Sequence, residues 1–221
     1  MALNRDHILA AALGLLDESG VQGFNVRALG ARLDTAPTAI YWHVKSKDEL
    51  LVAVADEVWQ EIPLLDPAVV GWRHAAEEMA RGLHAMVVRH PWLATLMSTH
   101  PIYGLHKARH DDHGLAIYEA AGFSPRRASD VLLTVMTFVL GHALTEAAEQ
   151  LRLRESTRKL VEPDAELVEL MDVVNQFPRL RARMSDDPEP GQGLQFGLDL
   201  VLNALEREPS RQIDELSLIH I

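Results

Sequence analysis

Two short helix-forming segments, separated by only three residues, constrain the fold of this chain more than any other feature. The first spans residues 26–33 and follows Asn25, a residue type that accepts hydrogen bonds from the free N–H groups of a first helical turn. The second spans about residues 37–43 and opens with Pro37, whose missing N–H costs little at that position. Asp34, in the turn, tolerates a left-handed backbone. Together with the longer helical segment before them, the two segments predict a helix-turn-helix.

The second segment carries more polar and aromatic side chains than a buried helix needs. Tyr41 and Trp42 are adjacent, so their rings project about 100° apart and cannot both enter one face of a core. A helix this short is not stable alone, so its neighbours must hold it and leave its outer face free for the major groove of DNA. The alternative is that the two rings are core aromatics and that Lys45 and Lys47 form a solvated rim.

The remaining sequence is also helical in pattern, with Gly and Pro between the apolar runs and no alternating strand pattern. The predicted helices cover about residues 47–62, 66–89, 92–98, 104–121, 126–150, 164–176 and 194–207. Residues 152–163 are predicted to be a connector and 178–193 a loop. We therefore expect an all-α fold with a helix-turn-helix head (1–46), a larger helical effector-binding and dimerisation body (47–208) and a tail of unassigned structure (209–221).

Composition narrows the class of protein. Hydrophobic residues make up 48% of the chain, which suits a globular core, and the absence of cysteine excludes disulfides and thiolate chemistry. We expect no segment of membrane-spanning length and no secretory signal, hence a cytoplasmic protein with no membrane partner. The net charge is −11, yet residues 1–50 hold five basic and six acidic side chains, so a nearly neutral head can still contact phosphates.

Several motifs of this sequence resemble those of one family. They are LLxxxG at 15–20, FNVRAL at 24–29 and IYWHVKSK at 40–47, with weaker matches at 122–124, 138–141 and 196–200. The chain resembles the TetR family of bacterial transcriptional regulators, and within it the tetracycline-repressor branch. The resemblance implies a homodimer whose heads bind double-stranded operator DNA and whose bodies hold a small-molecule effector.

The resemblance also implies which residues contact DNA. Arg27 corresponds to a base or phosphate contact and Lys47 to a phosphate contact. The base-edge positions are Pro37, Thr38 and Ala39, and the backbone and thymine-methyl positions are Tyr41, Trp42 and His43. Residues 37–39 read Pro-Thr-Ala where tetracycline repressors have Gln-Pro-Thr, so the base-reading amide is absent and we expect a different operator.

The resemblance also bears on the effector, because the tetracycline-repressor branch binds its drug through a Mg²⁺ ion that side chains of the body hold. Its histidine ligand corresponds to Leu96, and its glutamate to about Thr145, one residue from Glu146. Leucine offers no lone pair to a hard cation, so we expect no cofactor and neither Mg²⁺ nor tetracycline.

The remaining candidates for the body are mostly apolar and aromatic, which suits a flat aromatic effector. The predicted pocket residues are His84, Trp92, Leu96, His100, Tyr103, Met136, Phe138 and His142. Met136 and Phe138 could equally be plain core. Two helices with apolar stripes and small residues predict the dimer interface, with Val139, Gly141, Leu198, Val201 and Leu202 as candidates.

Other functions find less support. His106, His110 and His113 form a metal-like cluster that could make the protein metal-responsive, although a hydrated polar face explains it as well. The sequence lacks the nucleophile, phosphate-loop and zinc-protease motifs of common enzymes, so we expect no enzyme. A ligand carrier without DNA binding would leave residues 41–43 without a purpose. A transcriptional activator on the same fold stays open.

Overall fold

A computed structural model describes residues 3–158, 172–184 and 192–218, and every regular element in these ranges is a helix. The head contains α1 (Arg5–Gly23), α2 (Val26–Arg32) and α3 (Pro37–Ile40). The body contains α4 (Lys47–Glu57) with a 3₁₀ turn (Val58–Glu61), α5 (Pro67–Val70), α6 (Trp72–Arg89), α7 (Trp92–Thr99), α8 (Leu105–Ala120), α9 (Pro125–Arg158), α10 (Pro178–Met184) and α11 (Gln192–Leu218). Residues 172–175 are helical as well.

Capping side chains and a left-handed turn determine where the helices of the head begin and end. Oδ1 of Asn25 accepts a hydrogen bond from the Ala28 amide at 2.8 Å, as the sequence predicts for the start of α2. Asp34 has φ 49°, which confirms the left-handed turn between α2 and α3. The α3 helix is shorter than predicted, because the backbone leaves the α-helix at Tyr41 and continues as a turn. Ile40 is completely buried and anchors α3 to the head.

The α4 helix carries the chain from the head into the body. Oγ of Ser46 accepts from the Glu49 amide at 3.0 Å, as the predicted capping box requires. The Glu49 carboxylate bonds the amide of Lys45 rather than that of Ser46. Leu50 and Val54 are fully buried, so this helix packs against both parts of the molecule.

The core of the body is built around α6, which packs mainly against α9 and α8. A left-handed Gly71 with φ 83° separates α5 from α6, where the sequence predicts one continuous helix. The fully buried side chains of this core include Leu83, Met86, Leu93, Leu96 and Ile117.

Three predicted boundaries in the second half of the chain are wrong. The α9 helix continues through most of the predicted connector to Arg158, and α10 occupies part of the predicted loop. The α11 helix continues into the unassigned tail as far as Leu218. The sequence prediction interpreted these charged residues as connectors, but charged residues are equally typical of the exposed face of a helix. Most of the predicted 164–176 helix lies outside the described residues.

The α9 helix is unusually apolar for a surface helix. Over Pro125–Ala148 the mean hydropathy is 1.6, so this segment meets the length and composition of a membrane span, contrary to the expectation from sequence. Only 33% of its apolar window is buried within the chain. One side of α9 packs on α6 and α8, and much of its apolar surface stays exposed in a single chain.

Candidate DNA interface and effector site

The α3 segment exposes most of the side chains predicted to contact DNA. The Trp42 side chain is 88% exposed and that of Tyr41 45%, and Thr38 and His43 are also exposed. Such exposure disfavours the reading of Tyr41 and Trp42 as core aromatics, since exposed tryptophan lacks the burial that stabilises a core. Pro37 and Ala39 are partly buried at the base of the segment.

An open groove beside α3 brings together residues that the sequence places far apart. It is lined by Asn25, Val26, Arg27, Pro37, Tyr41 and Lys47. Nζ of Lys47 donates to the Phe24 carbonyl oxygen at 2.8 Å and lies 5.7 Å from the centre of the Phe24 ring. An ammonium has three N–H donors, so this bond fixes the charge beside the groove and leaves two donors for an anion.

The cavity of the body lies between α6, α8 and α9. Its lining is almost wholly apolar and consists of Ala76, Met79, Ala80, Leu83, His110, Tyr118, Leu132, Val135, Met136 and Val139. The space open to a water molecule is only about 10 Å³, about the size of one water molecule. The cavity is thus closed in this conformation, and the two methionines give its wall flexible side chains.

His110 is the nitrogen-bearing side chain of this wall. It is completely buried, and its ring meets the Trp59 ring edge-on with 4.7 Å between the centroids. Nδ1 lies 3.3 Å from Oδ1 of Asp111, while Nε2 has no hydrogen-bond partner. Burial lowers the pKa of His110 more than the Asp111 carboxylate raises it. A neutral imidazole with an unused ring nitrogen therefore faces an apolar cavity, and that nitrogen can bond a polar atom of a ligand.

The wall of the cavity is bonded directly to α4. The Asp56 carboxylate, on α4, accepts the backbone N–H groups of His106 at 3.2 Å and Lys107 at 2.9 Å in the first turn of α8. A carboxylate at a helix N-terminus satisfies unpaired donors and suits the helix dipole. A Cβ on Gly104 would lie 2.2 Å from the Asp56 carboxyl carbon, so glycine is required for this close approach. These two hydrogen bonds join the first turn of α8 directly to α4.

Most predicted pocket residues lie elsewhere, and Met136 is the one that lines the cavity. Leu96 is part of the closed core, whereas the side chain of Tyr103 is 71% exposed, so it lines no closed pocket. Nε1 of Trp92 donates to Oδ1 of Asp17 in the head. Nε2 of His100 lies 3.7 Å from Oδ1 of Asp48 on α4.

The other three predicted pocket residues, His84, Phe138 and His142, cluster where α6, α9 and α11 meet. The ring centroids of His84 and His142 are 5.5 Å apart, and those of Phe138 and His142 are 6.3 Å apart. A Cβ on Gly197 would lie 2.3 Å from the Phe138 ring, so α11 closes over this cluster. The three residues therefore form a junction of helices outside the cavity.

The candidate metal cluster on α8 is not brought together. Nε2 of His106 lies 3.9 Å from Oε1 of Glu57, and Nε2 of His113 bonds the Leu65 carbonyl oxygen at 2.9 Å. His110 instead faces the cavity and the Trp59 ring. Helical spacing put the three on neighbouring turns, but each ring packs against a different element.

The predicted dimer residues divide into two groups. Val139, Leu198 and Leu202 are completely buried within their own chain, so they expose no surface to a second copy. Val201 is partly exposed and Gly141 exposed. Among the side chains that the structure describes in α9 and α11, the large apolar ones that are exposed are Leu133, Leu144, Phe196 and Leu200. Sequence reasoning missed these four because both faces of each helix carry apolar residues.

Known proteins match the chain in both parts. The family model for bacterial regulatory proteins of the tetR family matches residues 8–54, and that for the tetracyclin repressor-like C-terminal domain matches residues 66–208. An HTH-type transcriptional regulator of Saccharopolyspora erythraea is 32% identical over 70% of this chain and 71% of its own length. The HTH-type transcriptional repressor DrrR1 of Streptomyces coeruleorubidus is 28% identical, covering 92% and 77%. The solved structure of the TetR family protein ActR of Streptomyces coelicolor with (S)-DNPA has a TM-score of 0.72 at 23% identity, covering 95% and 100%.

Proposed function

The chain belongs to the TetR family of bacterial regulatory proteins, which are DNA-binding transcriptional regulators and not enzymes, and on that premise we propose that it is a ligand-responsive repressor. In this proposal a homodimer binds a palindromic operator in the cytoplasm and leaves it when a small, apolar aromatic effector binds. Residues 1–46 form the DNA-binding head and 47–208 the effector-binding and dimerisation body. The observation that carries the proposal is the Asp56 bond, which joins the cavity wall to the helix that begins beside the DNA groove.

The proposed DNA contacts follow from exposure and charge around the groove. Arg27 and Lys47 supply positive charge at its edges, and the exposed side chains of Thr38, Trp42 and His43 are free to meet base edges and backbone. Pro37, Ala39 and Tyr41 complete the surface. The absence of a base-reading amide at 37–39 supports an operator that differs from the tetracycline operator.

The proposed dimer interface is the exposed apolar surface of α9 and α11. Four large side chains, Leu133, Leu144, Phe196 and Leu200, stand on it, and Gly141 has open space around it. Two such helices from each subunit can form a four-helix interface around a two-fold axis. Two heads related by that axis require an operator that is an inverted repeat.

The proposed effector site is the cavity between α6, α8 and α9 in an expanded form. Its apolar wall favours an apolar aromatic molecule, and Nε2 of His110 offers one hydrogen bond for orientation. ActR, which shares the fold, is described in complex with (S)-DNPA, which supports a body that opens for small molecules. Leu96, buried in the core, supports binding that does not depend on Mg²⁺.

In the proposed switch, the effector displaces α8, and Asp56 carries the displacement to α4. The recognition helices of a dimer must stand about 34–36 Å apart to enter successive major grooves. A few ångströms of movement at α4 change that spacing. The effector acts to the extent that it binds the DNA-incompetent spacing more tightly.

Selection of bound genomic fragments, followed by gel shift with and without salt, tests this function. We expect one inverted repeat to be retained at salt concentrations that release random DNA. Retention of no fragment would reject the regulator reading. A reporter gene behind the selected operator then separates repression from activation.

A further inference from the structure

A cluster of three possible metal ligands lies outside both the DNA groove and the cavity lining. It consists of His84 on α6 and of His142 and Glu146, which are one turn apart on α9. Each offers one ligand atom, and the three atoms lie within 4.8 Å of one another. Nε2 of His84 is 3.2 Å from Oε2 of Glu146. Among the described residues, no other group of three histidines and carboxylates meets this spacing.

The cluster has polar atoms that hydrogen bonding within the chain does not account for. Nδ1 of His142 is buried and has no hydrogen-bond partner. An unsatisfied buried polar atom is costly, so its presence calls for an explanation such as an ion.

The neighbouring helix encloses the cluster on one side. A Cβ on Gly193, in α11, would lie 2.8 Å from Nε2 of His142. The absence of a side chain at this position lets α11 approach the imidazole closely. An ion bound to the three residues would join α6 to α9 at the point where the His84–Glu146 contact already connects them.

We propose that His84, His142 and Glu146 form a binding site for a divalent transition-metal ion of the zinc class. Two imidazole nitrogens and one carboxylate oxygen are a donor set that zinc prefers, at bond lengths of about 2.0–2.2 Å. Ligand atoms around a tetrahedral ion at these bond lengths lie about 3.3–3.5 Å apart, so side-chain rotations that bring the atoms closer by about 1 Å complete the site. The fourth position is left for water. The site uses neither Leu96 nor Thr145, the positions that correspond to the histidine and the glutamate of the Mg²⁺ site in the tetracycline branch, and it does not depend on the proposed effector function.

The test is titration of Zn²⁺ into full-length protein that has been stripped with chelator. We expect one ion per chain by calorimetry, and an absorption spectrum of four-coordinate cobalt when Co²⁺ replaces Zn²⁺. At a Zn²⁺ concentration 100 times Kd, the melting temperature should rise by roughly 5–10 °C. None of these three measurements requires DNA or effector, so the site can be tested apart from the regulator function.

Two variants assign the ligands. Glu146→Gln and His142→Ala should each weaken Zn²⁺ binding at least tenfold and abolish the four-coordinate cobalt spectrum. His74→Ala, an exposed position on the same helix as His84, should change neither, and circular dichroism in chelator verifies that every variant is folded. The proposal is overturned if Zn²⁺ does not bind at micromolar concentrations. It is equally overturned if Glu146→Gln binds as the parent does, or if only His106→Ala or His113→Ala removes binding.

Discussion

Asp17 and His90 face each other across the junction between head and body, with 2.7 Å between Oδ1 of Asp17 and Nδ1 of His90. The same oxygen accepts from Nε1 of Trp92 at 2.7 Å, and Nε2 of His90 lies 3.0 Å from Oε1 of Glu61. His90 is 3% exposed, so it bridges two carboxylates in a nearly dry setting. The position of α1 against α7 therefore depends on one carboxylate that serves two donors.

Replacing Asp17 by alanine should destabilise the protein by roughly 2 kcal/mol, because it leaves the Trp92 N–H and one nitrogen of His90 without a partner. Urea unfolding followed by circular dichroism measures the change. The matched control is Glu18→Ala, one residue along, whose carboxylate is exposed and pairs with Arg32. The role assigned to the junction would be wrong if the two variants lost equal stability.

The head could be predicted from sequence because its signals are local. Asn25 and Ser46 cap the helices that follow them, and Asp34 takes the left-handed conformation that the turn requires. Each of these effects depends on residues within three or four positions. Local chemistry of this kind is readable without knowledge of the tertiary fold.

The body could be predicted only in outline because its features depend on packing between distant helices. Periodicity showed that α9 and α11 are apolar, but not that Leu198 faces inward and Phe196 outward. His110 and His113 share a helix, yet the His110 ring packs against Trp59 of the 3₁₀ turn, and the His113 ring bonds the Leu65 carbonyl oxygen. Charged side chains likewise did not mark the ends of α9 and α11, which continue beyond the predicted boundaries.

Lys47→Ala should weaken operator binding almost equally for all DNA sequences. A phosphate contact carries no sequence information, so the slope of log affinity against log salt should decrease by about one unit. Arg27→Ala should also weaken binding. Arg109→Ala, an exposed position on α8, serves as the control and should leave both affinity and slope unchanged. A parental affinity and salt slope for Lys47→Ala would contradict the proposed docking geometry.

Phe196→Asp and Leu198→Asp should separate dimerisation from folding. Phe196 is 67% exposed, so a charge there should yield a folded monomer with reduced operator affinity. Leu198 is completely buried, so a charge there should unfold the body instead. Sedimentation at micromolar concentration, with circular dichroism, distinguishes the two. A dimer that survives both Phe196→Asp and Leu200→Asp would exclude this surface as the interface.

Stability should fall on acidification, in part through His110. Burial holds the pKa of His110 below its ordinary 6.5, with Lys107 and His113 adding to the effect and Asp111 opposing it. Below pH 6.5 the His110 imidazole takes up a proton in the unfolded chain but stays neutral in the folded chain. The stability that His110 contributes is therefore fully present above pH 6.5 and is lost as the pH falls toward the pKa of the folded state. In His110→Gln, the free energy of unfolding should fall less between pH 7.5 and 5.5. If the free energy of unfolding fell equally with pH in parent and variant, His110 would not contribute to the acid sensitivity.

The effector response should depend on Asp56, the residue that bonds the first turn of α8 to α4. In Asp56→Ala an apolar aromatic effector should still bind the cavity, but the factor by which it weakens operator binding should decrease toward one. Asp56→Asn keeps one acceptor oxygen and should retain an intermediate response. Since coupling is reciprocal, operator DNA should weaken effector binding by the same factor in each variant.

Calorimetric titration of flat aromatic compounds and of tetracycline, each with Mg²⁺ and with chelator, identifies the effector class. We expect binding that is insensitive to chelator, because Leu96 has no lone pair for a cation. Tight tetracycline binding that disappears with chelator would contradict this argument. Release of DNA by Zn²⁺ that His106→Ala abolishes would instead restore the α8 histidines as the sensor.

A full operator response in Asp56→Ala would contradict the role assigned to Asp56. It would show that the signal reaches α4 by another contact, since α8 would then move the head without its carboxylate link.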